Sequence, residues 1–199
     1  HAPAQQKNST TVVVLKLSQH LMSFVFVFVA YVLQSIFIYP VEKMLRGDAH
    51  VDIVSLIYIP HGVEVILAVM VGPIAMIYIF LAQFIAGGIF FGPTVTNLIG
   101  SAIGATAIVI PIILLNGSSK RSLLAAPVDY KNFKISVVWT YASIALFTAL
   151  LDSAFHMRLY FAVAEIDIFT YFIVGDFTGA IAVFFIFLYL FRPIAQKLL

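Results

Sequence analysis

The sequence predicts an all-α protein: a polytopic transmembrane helix bundle of about six spans, with N- and C-termini in the cytoplasm. Three observations predict it. Only 10% of the 199 residues are charged, against about 25% in a soluble domain. Mean hydropathy is +1.07. Apolar stretches of the length a helix needs to cross the hydrocarbon core recur along the chain, several of them bounded by Gly-Pro breaks.

Residues 1–16, opening "HAPAQQKNST", read as a polar tail expected to fray, and the start at His1 is expected to be a trimmed, processed or tagged end. A single helical domain, 17–195, follows. Its expected spans are 17–39, 53–71, 74–91, 95–115, 135–156 and 171–191. The turns Gly72–Pro73 and Phe91–Thr94 separate spans two, three and four, because Gly and Pro stop helices. The stretch "MRLYFAVAEIDIFTYF" reads as a surface helix or a partly inserted segment. Lipid does not tolerate unshielded non-helical backbone, which favours the surface reading.

Lys and Arg set the orientation. Lys7, Lys16, Lys120, Arg121, Lys131, Lys134, Arg192 and Lys197 fall on one side, which is therefore read as cytoplasmic, and Lys43, Arg46 and Arg158 on the other. A net charge of +2 gives no reason to expect nucleic-acid binding. Cys is absent, which excludes disulfides, thiolate catalysis and Cys-ligated metals. No Walker loop is present, and the loop 116–134 is too short for a catalytic domain. Output or energy supply is expected to come from another chain.

Small residues recur four apart: Ala82 and Ala86, Gly88 and Gly92, Gly100 and Gly104, Gly175 and Gly179. Such pairs let helices approach closely in lipid. Packing within the bundle is the expected use, and docking to a partner the sharper one. Phe-rich runs such as "FVFVFVAYV" read as surfaces facing lipid or a partner.

Polar groups inside the spans carry the functional signal. His61, Glu64, Gln83, Asp152, His156 and Asp176 lie in otherwise apolar stretches. A charge near the bilayer centre costs about 2.5–3.5 kcal/mol on insertion scales, so such groups face the bundle interior or a wet cavity. At about 1.5 Å per residue, the five ionisable ones fall in the outer half. His61 and Glu64 are three apart, and Asp152 and His156 four apart, so each pair shares a helix face. If spans two, five and six meet, His61, Glu64, Asp152, His156 and Asp176 form one outward-facing pocket for a small molecule or ion. Pro60 is expected to remove a helical hydrogen bond and bend span two, and Gly62 to permit close approach. The plainer expectation is a bent helix with Glu64 neutral or paired with His61.

His61, Glu64, Asp152 and His156 are chemically suited to Zn²⁺, but their spacing matches no metal motif, so no metal is assigned. Haem between two of His20, His61 and His156 is disfavoured, since His20 belongs to the opposite face. No cofactor is required. Neither a nucleophile elbow nor an HExxH helix accompanies the His–carboxylate pairs, and no catalytic residue or enzyme activity is expected.

"YIPHGVEVILAVMVGPIAMIYIFLAQFIAGGIF", "NLIGSAIGATAIVIPIILL" and "YFIVGDFTGAIAVFFIFLYLFRP" together resemble the MASE1-type integral membrane sensor domains. The positions that match are Pro60, Asn97, Asp176 and Gly179. Gly100 and Ser101 stand where that family often has an acidic residue and Ala. Members are multi-span domains commonly joined to cytoplasmic kinase or cyclase domains. The resemblance implies a sensor-like, stand-alone module that acts through partner proteins, in a bacterial inner (cytoplasmic) membrane. Two other readings are weighed beside it. One is a structural or accessory subunit of a larger membrane complex, such as an energy-converting assembly. The other is the substrate-binding component of a vitamin transporter. In all three the partners are the lipid bilayer and other membrane proteins.

Overall fold

The computed structural model describes residues 4–46, 55–118, 135–160 and 166–198. Their regular structure is entirely helical, with no strand among the described residues. Helix α1, Ala4–Leu33, passes through a π-helical turn, Gln34–Ile38, into α2, Tyr39–Arg46. Then come α3, Ile59–Val71; α4, Ala75–Phe90; α5, Val95–Ser118; α6, Ile135–Tyr160; and α7, Ile166–Leu198.

Among the described residues, four stretches are long and apolar enough to cross a membrane: His20–Leu45, Val95–Leu114, Val138–Leu159 and Ile168–Leu190. They mark the chain as a helical membrane protein. α3 and α4 are apolar but hold only 13 and 16 residues. At 1.5 Å per residue they measure about 20 and 24 Å, short of the ~30 Å hydrocarbon core.

The elements differ from the expected spans in three places. The first span was expected to stop at 39, yet helical backbone continues to Arg46. Pro40 follows a widened turn, Gln34–Ile38, and does not end the helix. Its ring has no N–H to give and would press on the carbonyl of Ile36 in a regular helix. The turn opens instead, and Tyr39 N–H donates to Gln34 O, five residues back. Residues 4–16 of the expected tail belong to α1.

The second difference is that span two is helical only from Ile59. Pro60 sits in the first turn of α3, where no helical acceptor exists for its missing N–H. It starts the helix and does not bend it from inside, which corrects the expected role of Pro60. The third concerns "MRLYFAVAEIDIFTYF". It forms no separate surface helix: α6 continues to Tyr160 and α7 begins at Ile166, with 161–165 outside the described residues. The expected cytoplasmic loop also lies outside them from 119 to 134.

α3 is the hub of the bundle. It packs against α7 and α1 and also touches α4, α5 and α6, while α4–α5, α5–α6 and α6–α7 pair as neighbours. Its buried face, Val65 and Ala68, meets Ile79 and Ala82 of α4, Ile108 of α5, Ala145 of α6 and Ala180 of α7 in one core. The abundance of Ala there lets backbones approach closely where lipid gives side chains little reason to cluster. Tyr141 stacks on Phe184 with ring centroids 4.1 Å apart, tying α6 to α7. Phe26, Phe37, Ile89, Leu114, Trp139 and Tyr189 point outward, as a lipid-facing surface requires.

Candidate functional site

Residues 55–58 approach α3 as non-helical backbone and are held on every side. The Glu42 carboxylate accepts from Leu56 N–H at 3.0 Å, Ile57 N–H at 3.1 Å and the Ser55 hydroxyl at 2.9 Å. Gln34 Oε1 accepts from Ile59 N–H at 3.1 Å, and Gln34 Nε2 donates to Ser55 Oγ at 2.9 Å. Tyr58 N–H donates to Gly175 O at 2.9 Å, and the Thr178 hydroxyl donates to Leu56 O. The π-helical turn and α2 therefore satisfy the backbone groups that the broken span leaves bare.

Gly175 and Gly179 explain how α7 comes so near. A Cβ on Gly175 would strike Ser55 O, and one on Gly179 would strike Tyr58 O. The pair expected as a helix–helix seam receives non-helical backbone. Gly62 completes the contact, because a Cβ there would lie 2.6 Å from Gly179 O. Asn97 is structural too: its side chain donates to Phe84 O at 3.1 Å and fills the space beside Gly87. Thr94 caps α5 by accepting from Asn97 N–H at 3.1 Å.

α3, α6 and α7 pack together, and three of the five candidate residues converge. One ligand atom each of His61, Asp152 and Asp176 lies within 4.8 Å of the others, and His61 Nδ1 is 3.8 Å from Asp176 Oδ2. All three are buried. His61 Nε2 is 3.1 Å from Thr148 Oγ1, which itself donates to Ala145 O at 3.0 Å. His156 joins at the edge, with Nδ1 3.0 Å from Asp152 Oδ1 and 3.1 Å from the Asp152 carbonyl.

Glu64 turns away from this group. It is 1% exposed, and its Oε1 accepts from the Tyr31 hydroxyl at 2.8 Å and from Gln83 Nε2 at 3.0 Å. Those donors come from α1 and α4, so the pairing expected with His61 is replaced by neutral partners. Gly104 makes room for Gln83, since a Cβ there would lie 2.7 Å from its amide. His20 is far from all of this and hydrogen-bonds Tyr78 on α4.

A partly open cavity of about 330 Å³ lies where α1 widens, the non-helical segment enters and α4 turns into α5. That is within the usual size of a small-ligand site. Aromatic rings of Tyr31, Tyr58, Phe90 and Phe172 line it beside Gln83, Asp152, His156 and Asp176. Among the described residues, no Lys or Arg lines it. Several groups here escaped the sequence reading: Gln34, Glu42, Ser55 and Thr148. The available signal was an amide, Gln34, inside the first expected span and a carboxylate, Glu42, just past its end.

Comparison of the chain with family models, curated proteins and solved structures gives no match.

Proposed function

We propose that the chain is a membrane-embedded binding module for a small polar ligand carrying positive charge. The observation that carries this reading is the cavity: aromatic rings and two carboxylates, with no Lys or Arg lining it among the described residues. Aromatic faces and carboxylates attract cations, the more so when water is scarce. The positions of Pro60, Asn97, Asp176 and Gly179 fit a MASE1-like sensor domain, in which a partner protein reads the bound state. In this reading α3 and α4, with the segments that flank them, complete six passes. The Lys and Arg distribution then puts both termini in the cytoplasm and the cavity on the outer side of a bacterial inner membrane. The outward apolar faces suit lipid and a protein partner equally, so they give no preference to an accessory-subunit role.

The purified chain in detergent is expected to show a raised melting temperature with at least one member of a panel of small primary and quaternary amines. A ligand at a hundred times its Kd adds about 2.7 kcal/mol. Ser35→Trp, which fills the cavity from the widened turn, should remove the shift and leave the ligand-free melting temperature near that of the wild type. A wild-type protein that ignores the whole panel would overturn the reading.

A further inference from the structure

His61, Asp152 and Asp176 are brought together from three helices, α3, α6 and α7. His61 Nδ1 and Asp176 Oδ2 are buried without a hydrogen-bond partner among the described residues, and Asp152 Oδ1 has the His156 ring 3.0 Å away. The chemistry of His61 follows from its neighbour. The Thr148 hydroxyl gives its proton to Ala145 O, so its oxygen accepts from His61 Nε2–H. The imidazole is then the Nε2–H tautomer, and Nδ1 presents a bare lone pair. That lone pair faces Asp176 Oδ2 at 3.8 Å. The group thus holds one imidazole lone pair and two carboxylates, with the His156 ring 3.0 Å from Asp152 Oδ1 as the nearby donor.

Acceptors of like sign repel strongly where water is scarce. Such an arrangement is stable when a cation sits among them. Four-coordinate metal sites with bonds of about 2.0–2.1 Å place their ligand atoms roughly 3.4 Å apart. The separations here, 3.8 Å between His61 and Asp176 and at most 4.8 Å within the group, would contract on binding the ion. One imidazole nitrogen and two carboxylate oxygens suit a first-row divalent ion such as Zn²⁺, Mn²⁺ or Fe²⁺. Two carboxylates also neutralise its charge within the membrane. Thr148 on Nε2–H and His156 beside Asp152 are the outer contacts that commonly orient metal ligands.

We propose that His61, Asp152 and Asp176 form a binding site for a single divalent transition-metal ion at the floor of the cavity. Asp152 and Asp176 line the cavity, which supplies the entry path and a free coordination position. His61 lies outside that lining. The proposal rests on the binding-module reading for its cavity, and an ion held there competes with a cationic ligand for Asp152 and Asp176. Spacing along the chain could not reveal the site, because its three ligands are separated by long stretches of sequence.

The test uses the full chain in detergent, purified without a metal-binding tag, stripped with EDTA and dialysed against Zn²⁺. The wild type is expected to retain a single Zn²⁺ per chain by elemental analysis, with a raised melting temperature that EDTA reverses. His61→Gln and Asp176→Asn should each lower the retained metal at least tenfold. Because either variant risks misfolding, Co²⁺-loaded wild type provides a second readout. It should show the intense visible bands of a four- or five-coordinate site, and X-ray absorption should find one imidazole. No Zn²⁺ retained by the wild type, full retention by Asp176→Asn, or an octahedral Co²⁺ spectrum without imidazole would each overturn the proposal. His61→Gln is expected to keep its response to the amine panel, which separates failure of the metal site from failure of the binding-module reading.

Discussion

Gly179→Val is expected to prevent the bundle from assembling. A side chain at this position meets the carbonyl oxygen of Tyr58 along with the Tyr58 nitrogen and carbonyl carbon. All of these are backbone atoms, so no rotamer change relieves the clash. α7 would have to move off the non-helical segment. That movement breaks the hydrogen bond from Tyr58 N–H to Gly175 O and the one from the Thr178 hydroxyl to Leu56 O. Overpacking typically costs about 1–3 kcal/mol, and each buried polar group left bare adds about 1–3 kcal/mol. The total approaches the whole stability of a small domain, about 5–15 kcal/mol. Expression level and thermal unfolding in detergent measure the effect. Gly88→Ala is the control, because the nearest atom to its added Cβ is Asn97 Nδ2 at 3.9 Å, an ordinary contact. A Gly179→Val protein that melts like the wild type would show that the backbone contact is wrongly placed.

The second large effect is expected from Glu42→Ala. Leu56 N–H loses its acceptor, while Ile57 N–H and the Ser55 hydroxyl lose one of two, keeping Ser55 Oγ at 3.2 Å and Ile57 O at 2.9 Å. Hydrogen bonds to a charged group are worth about 1.5–3 kcal/mol, and a donor left buried and bare costs a further ~1–3 kcal/mol. A loss of roughly 3–5 kcal/mol is expected from the two effects together. Glu42→Gln keeps one acceptor oxygen and should fall between the alanine variant and the wild type. Melting temperatures of the three proteins in one detergent decide the order. If the glutamine variant is no better than alanine, the carboxylate geometry, not the mere presence of an acceptor, is what the segment requires.

Much of the helical layout was legible in the sequence. Gly72–Pro73 and Phe91–Thr94 mark the ends of α3 and α4 because glycine and proline act through local sterics. What proline does depends on what surrounds it. Pro40 widens a helix and Pro60 begins one, and the two differ in which acceptors stand nearby rather than in their own chemistry. The ionisable residues were visible because charges inside apolar runs demand a reason. Their sorting was not. His61 and Glu64 share a face by spacing, yet α3 lies between α6–α7 on one side and α1–α4 on the other. One side chain turns to Thr148 and Asp176, the other to Tyr31 and Gln83. Glu42 and Gln34 escaped because their value comes from a segment 13 to 25 residues further on.

The non-helical stretch before α3 also imposes an order on biogenesis. Its N–H groups find acceptors in Gln34 and Glu42, which leave the ribosome first, and in Gly175, which leaves late. Until α7 arrives, Tyr58 N–H and Leu56 O lack the partners they have in the finished bundle, and α3 is too short to span the bilayer alone. The nascent chain therefore passes through an incomplete stage in which the region around Ser55–Val71 waits at the membrane surface or against the insertion machinery. Nascent chains arrested before Ile166 should be cleaved by protease in this region, whereas full-length chains are protected there. Equal protection of both would show that the segment settles without α7.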